Sequence, residues 1–255
     1  MRTIGIIGGG FVGQILKKYY PDAKMYDIND KFDPVDDVLE QEVIFIAFNL
    51  TDNCRSKESY ESVASYLRRA PEDRIFVIKS TFVPGTTDKL QDEFPQHRIM
   101  YNPEFLTEAT AWWDFTKPHA QILGIPHVGL KLSSEIFEIL PEAPVKRVIS
   151  PRDAELLKHA TNSYYATKLI FFNQLYDVAQ ELGAHYETVR ESMAQDPRIG
   201  DSHNIIEHKG YRGYGGKCLR KDTRALKAVS NFPLLTTVEE LNDAYRSSQG
   251  LPEDV

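Results

Sequence analysis

The chain opens on a short apolar run, TIGIIGG, that empties directly into GGGFVG and then into the amphipathic segment VGQILKKYY. A buried strand that ends in glycines and turns at once into a helix constrains the fold more than any other feature. Gly8, Gly10 and Gly13 fall in the G-x-G-x-x-G spacing, which lets a backbone turn tightly, lets an anion approach a helix N-terminus, and lets the helix pack closely on its strand. The next predicted strand, AKMYD, ends in Asp27, nineteen residues after Gly8. That is close to the roughly twenty expected for the acidic residue that hydrogen-bonds an adenosine ribose. A carboxylate there also repels a 2′-phosphate, so the cofactor read from these residues is NAD rather than NADP. Tight packing alone would explain the glycines but not Asp27.

Apolar runs then alternate with amphipathic ones, the pattern of a parallel sheet covered by helices. The strands expected are 3–8, 23–27, 42–48, 74–80, 98–101 and 120–124, and helices are expected over 12–20 and 59–70. From Ser150 the texture changes. Residues 150–183 contain no Gly or Pro between Arg152 and Leu182, which predicts one helix of about thirty residues. Ser150 or Asp153 is placed to cap its start, Pro151 suits its first turn, and Gly183 suits its end. The fold class expected is α/β: an N-terminal Rossmann-type doubly wound sheet over 1–149, then an all-helical domain over 150–255 built on one long central helix. That helix is apolar around much of its circumference, which predicts a homodimer formed along it.

With 30 Lys and Arg against 37 Asp and Glu, the formal charge is -7, which argues against a nucleic-acid surface. No run reaches membrane-spanning length, and the N-terminus lacks the layout of a signal peptide. The two cysteines, Cys54 and Cys218, have neither a disulfide framework nor a metal-ligand spacing, and a reducing cytoplasmic setting fits them. No metal site is expected; His203 and His208 do not match a zinc-protease pattern. Cys54 reads as an incidental loop thiol. Trp112 and Trp113 read as core packing.

Cys218 lies in GYGGKCLRKD, after glycines and at the first turn of a predicted helix. Unpaired amides, the helix dipole, Lys217 and Lys221 all favour a thiolate there. Asp222 is four residues on and shares its helix face. On the long helix, Lys158 and Asn162 are likewise four apart and suit an oxyanion. KSTFVPGTT ends a strand at the edge where such sheets bind ligands, and NPEFLTE follows the next strand with Glu104 and Glu108 four apart.

Taken in order, GGGFVG, KSTFVPGTT, NPEFLTE, ELLKHATN, DPRIG and GYGGKCLRKD resemble the UDP-glucose/GDP-mannose dehydrogenase family, from the first strand to about residue 245. The resemblance implies NAD-dependent oxidation of a nucleotide sugar's primary alcohol to a carboxylate in two steps. It implies that Cys218 is the nucleophile, that Lys158 and Asn162 stabilise the oxyanion, that Asp222 handles a water, and that Glu108 aids thioester hydrolysis. Thr81 is implied near the reacting end. Gly8, Gly10, Phe11, Val12, Gly13, Asp27, Ser80, Thr81 and Glu108 are implied at the cofactor. Glu104, Phe105, Leu106, Lys158, Asn162, Arg198 and Gly215 are implied at the substrate, with Arg198 lent to a neighbouring subunit.

The pattern also breaks. Arg220 stands where members usually have proline, Ala120 where an arginine is usual, and residues 49–53 replace a proline-containing turn. The third domain of complete members is not in this sequence, so a separate chain supplying a nucleotide-binding domain is one expected partner. Two other classes stay open: a NAD-binding module without turnover, and a single-step dehydrogenase of the 3-hydroxyacid or 6-phosphogluconate type, in which Cys218 is structural.

Overall fold

The computed structural model describes residues 2–29, 32–49, 57–208 and 210–251. Cys54 and most of the segment 49–53 lie outside the described residues. The chain divides into two compact units, Met1–Lys158 and His159–Val255, with the division falling inside one continuous helix.

The first unit is a seven-stranded sheet. Its strands are β1 (Ile4–Ile7), β2 (Lys24–Tyr26), β3 (Val43–Ile46), β4 (Ile75–Ile78), β5 (Arg98–Tyr101), β6 (Ala120–Gly124) and β7 (Val145–Ile149), in the order β2-β1-β3-β4-β5-β6-β7. The first five pair in parallel. The side chains of β3 and β4 are buried on both faces, as continuous Ile, Val and Phe runs require when helices cover both sides. Helices α1 (Phe11–Tyr19), α2 (Val35–Leu39), α3 (Lys57–Arg69), α4 (Thr86–Glu93), α5 (Ala111–Thr116) and α6 (Ser133–Ile139) provide that cover. One core layer contains Ile44, Phe76, Ile78 and Ile99, and the other Phe45, Val77, Met100 and Leu123. Strand order reverses between β1 and β3, the point at which open α/β sheets bind ligands.

Two sequence expectations change here. The sheet is not parallel throughout, since β5 and β6 pair antiparallel, Tyr101 opposite Gly124. Only the short α5 joins them, and the chain returns alongside rather than crossing over. Strand β7 was not expected at all: VKRVI is largely exposed and carries two charges, so it lacks the apolar signature of its neighbours.

Helix α7 runs Pro151–Leu182, and α8 covers Tyr186–Ala194, α9 Lys217–Val229 and α10 Pro233–Ser248. The expected boundaries of α7 hold for the expected reasons. Ser150 Oγ accepts from the Asp153 N–H at 3.1 Å, and Gly183 adopts φ +67° while the Ala184 N–H reaches back to the Ala179 carbonyl at 2.8 Å. The second unit packs Ala166, Ile170, Tyr214 and Val238 in one cluster and Phe172, Ala179, Tyr186 and Ile206 in another. Among the described residues its regular structure is helical apart from two antiparallel two-residue strands, β8 (Glu207–His208) and β9 (Tyr211–Arg212). No helix among the described residues is long and apolar enough to cross a membrane.

Candidate active site

The glycine loop shows a division of labour. Gly8 takes φ +112°, and a Cβ there would lie 2.6 Å from the Phe48 nitrogen. A Cβ on Gly13 would lie 1.8 Å from the Gly8 carbonyl oxygen, so only glycine lets α1 sit this close to β1. A Cβ on Gly10 would meet nothing within 4 Å, leaving open space at the start of α1. Phe11 and Val12 begin that helix. Asp27 faces the loop: its carboxylate accepts from the Gly9 N–H at 2.6 Å and from the Asn29 N–H at 2.9 Å. A carboxylate held rigidly beside an open helix N-terminus fits the ribose and pyrophosphate of a dinucleotide.

At the carboxyl ends of β4 and β5 lies a buried ionic cluster. Lys79, Ser80 and Thr81 are all buried at the start of the KSTFVPGTT turn. The Lys79 ammonium donates to Asn102 Oδ1 at 2.6 Å, and Asn102 Nδ2 donates to the Ile122 carbonyl at 2.8 Å. Burial lowers the Lys79 pKa to about 8, with Glu104 opposing the change and Lys158 reinforcing it. Lys158 donates to the Glu104 carbonyl at 2.5 Å and to its carboxylate at 2.8 Å. Burial works against the Glu104 carboxylate. The Lys158 ammonium, the Leu106 N–H and Lys79 outweigh it and hold the acid below its ordinary range. The Lys158 ammonium also lies 5.4 Å from the Phe105 ring centre. Glu108, in contrast, is exposed in a turn and does not share a helix with Glu104.

Glu155, one turn before Lys158, was not anticipated. It is fully buried and accepts from the Gly85 N–H at 2.6 Å, the Thr87 N–H at 2.8 Å and the Thr87 hydroxyl at 2.7 Å. It thereby ties the start of α7 to the turn that carries Thr81.

In the second unit, Asn162 donates its side-chain amide to the Asp222 carboxylate, and both groups are buried. The other Asp222 oxygen lies 3.7 Å from His159 Nδ1. Cys218 is exposed in the first turn of α9, after Gly216 at φ +75°. Half-buried Gly215 precedes it. The loop leading to Cys218 is braced from behind. The Arg212 guanidinium lies between the rings of Tyr176 and Tyr245, at 4.8 and 4.4 Å, and donates to Asp177 at 2.7 Å and to the Asn173 carbonyl at 2.7 Å. Asn242 accepts from the Tyr214 N–H at 2.7 Å, and Arg220 pairs with Asp243 at 2.9 Å. None of these braces was visible in the sequence, because each joins residues at least 23 positions apart. Arg198 is exposed and pairs with Asp196, two residues away.

The tryptophans correct an expectation. Trp113 is 65 % exposed and Trp112 38 %, so they are not core residues. Trp112 packs beside Tyr19, with the Lys18 ammonium 4.1 Å above its ring. Among the described residues, no group of three His, Cys, Asp or Glu side chains is placed to hold a metal ion.

A switch-point glycine loop with an acidic β2 terminus, followed by a helical unit, defines an NAD-binding dehydrogenase architecture. Family models make the assignment finer. Residues 28–140 match the NAD-binding domain, and 152–244 the central domain, of the UDP-glucose/GDP-mannose dehydrogenase family, and the chain belongs to that family. It is 29 % identical over 222 residues to the UDP-glucose 6-dehydrogenase YwqF of Bacillus subtilis, a match covering 80 % of this chain and 49 % of the relative. It thus spans about half the length of that curated relative. Among solved structures, the UDP-glucose dehydrogenase of Pyrobaculum islandicum superposes with a TM-score of 0.78 at 23 % identity, over 96 % of this chain and 68 % of that one. The 3-hydroxyisobutyrate dehydrogenase of Mycobacterium tuberculosis gives 0.73 at 12 % identity, over 97 % and 94 %. At these identities the superpositions establish the fold.

Proposed function

We propose that the chain oxidises the primary alcohol of a sugar, presented as a nucleotide sugar, to a carboxylate by way of a thiohemiacetal and a thioester on Cys218. Each of the two oxidations uses one NAD+ as hydride acceptor. The first leaves an aldehyde, whose carbonyl carbon has no second hydride to give until a nucleophile adds. In this reading the Cys218 thiolate forms the S–C bond, and the oxygen becomes an alkoxide that Lys158 and Asn162 stabilise. Loss of the second hydride leaves a thioester. A water handled by Asp222, with Glu108 assisting, breaks the S–C bond, and the sulfur departs as thiolate. Thr81 and Ser80 line the cofactor side. Glu104, Phe105, Leu106, Gly215 and, from a neighbouring subunit, Arg198 hold the sugar.

The observation that carries this reading is the Asn162–Asp222 hydrogen bond. It joins the residue one helical turn beyond Lys158 to the residue one helical turn beyond Cys218, which supports reading an oxyanion donor and a water-handling acid as neighbours. The partners in this reading are the sugar nucleotide and a second copy of the chain along α7. Tyr164, Phe171 and Val178 support the second copy, being 57, 53 and 46 % exposed at a strict seven-residue spacing, a seam suited to helix pairing. A reducing compartment such as the cytoplasm suits the thiol.

One rival is a single oxidation of the 3-hydroxyacid type, which needs no cysteine; it shares the fold. Counting NADH per molecule of UDP- or GDP-sugar consumed separates the two: two with an acid product supports the cysteine route, one supports the rival. Cys218→Ser should abolish acid formation, and undiminished acid formation refutes the route.

A further inference from the structure

Asp33, six residues beyond Asp27, is bonded to β2. The Asp33 N–H donates to the Met25 carbonyl at 2.8 Å, and the Asp33 carboxylate accepts from the Met25 N–H and from the Lys24 ammonium, each at 2.9 Å. Asp33 is therefore latched onto β2. The residue before the latch is Phe32, and its ring lies on the glycine loop: Cε2 is 2.8 Å from where a Cβ on Gly9 would be. The same Cβ position is 3.1 Å from Asp27 Cβ, so ring, glycine and carboxylate are immediate neighbours.

Phe32 is 40 % exposed and Ile28, next to Asp27, is 75 % exposed. Two large apolar side chains held open to water beside a ribose-binding carboxylate gain little from the chain's own packing. Another aromatic group adjoins Asp27. Tyr66 lies edge-on to Tyr26 at 6.3 Å and tilted to Phe48 at 6.1 Å. Burial, followed by the neighbouring Tyr26 and Asp27, raises its phenol pKa. A ribose hydrogen-bonded to Asp27 through its 2′-hydroxyl carries its base on the adjoining carbon, so the base must fall among these groups.

We propose that Phe32 is the platform on which the adenine ring of NAD stacks, with Ile28 as its apolar flank and the Asp33 latch as the device that holds the platform over the glycine loop. The proposal rests on NAD binding by the first unit and is independent of turnover. Adenine presents a π face that an aromatic ring recognises without hydrogen bonds, and truncating such a ring to alanine typically weakens binding by roughly tenfold to a hundredfold.

The test is calorimetric titration of NAD+ into the full chain and its Phe32→Ala, Phe32→Leu and Phe32→Tyr variants, with the ligand-free melting temperature of each. Phe32→Ala and Phe32→Leu are expected to weaken binding about tenfold or more, while Phe32→Tyr stays near the wild type. Phe32→Leu keeps the apolar bulk, so it decides the matter even where the alanine variant fails to fold. Binding by Phe32→Leu within about twofold of wild type, or tighter, overturns the proposal. Equal losses in Phe32→Leu and Phe32→Tyr also overturn it, since they would mark a packing role. A wild type that binds no NAD+ overturns it together with the cofactor assignment, an outcome distinct from binding that is indifferent to residue 32.

Discussion

Glu155 gives the sharpest quantitative test of the structure. Its carboxyl is fully buried, and although three donors from Gly85 and Thr87 favour the ionised form, burial dominates and lifts its pKa from an ordinary 4.5 to about 7. A carboxyl whose pKa is raised on folding contributes stability that is fully present below 4.5 and is lost as pH rises through about 7. At 1.36 kcal/mol per pH unit, that interval amounts to roughly 3 kcal/mol. Glu155→Gln keeps the size and one acceptor but removes the titration. Near pH 5 the variant should be less stable by roughly 1–3 kcal/mol, because one buried donor loses its acceptor. As pH rises to 8 the wild type should lose its advantage while the variant does not, so the gap should close or reverse. Urea unfolding of both proteins at half-unit pH steps reads this directly. Parallel stability curves, with a gap that does not change between pH 5 and 8, would refute the assignment of the raised pKa to Glu155.

Gly13→Ala should destabilise the first unit by about 3 kcal/mol or more, since its Cβ meets the Gly8 carbonyl oxygen rather than a movable side chain; a shift in urea midpoint measures it. Phe171→Asp places a charge in the middle of the exposed α7 seam; on the proposed dimer, light scattering should find the wild type dimeric and the variant monomeric, and a monomeric wild type refutes the seam.

Much of the site was legible because its signals are local. A G-x-G-x-x-G loop works through backbone geometry that three glycines impose within six residues, and Asp27 follows at a spacing set by one helix and one strand. Cys218 in a first helical turn is likewise written in GYGGKC. Four-residue spacing on helices singled out Lys158, Asn162 and Asp222, the resemblance implied their roles, and the structure bonds Asn162 to Asp222 and Lys158 to Glu104. Glu108, whose role the resemblance implied, lies exposed in a turn, so its four-residue spacing from Glu104 does not set a common face, which needs a helix. Glu155 stayed hidden because nothing nearby in sequence marks a glutamate as the cap of a turn about seventy residues earlier.

By itself, the sequence determined the strand-and-helix alternation, the cofactor loop, and the length and caps of α7, since side-chain periodicity and turn chemistry act over a few residues. Tertiary structure alone decided the antiparallel step at β6, the exposure of Trp113, the cation held between Tyr176 and Tyr245, and the aromatic ring laid across Gly9. Each of those depends on which distant groups the folded chain brings within a few ångström, and no short stretch of residues encodes the identity of its partner.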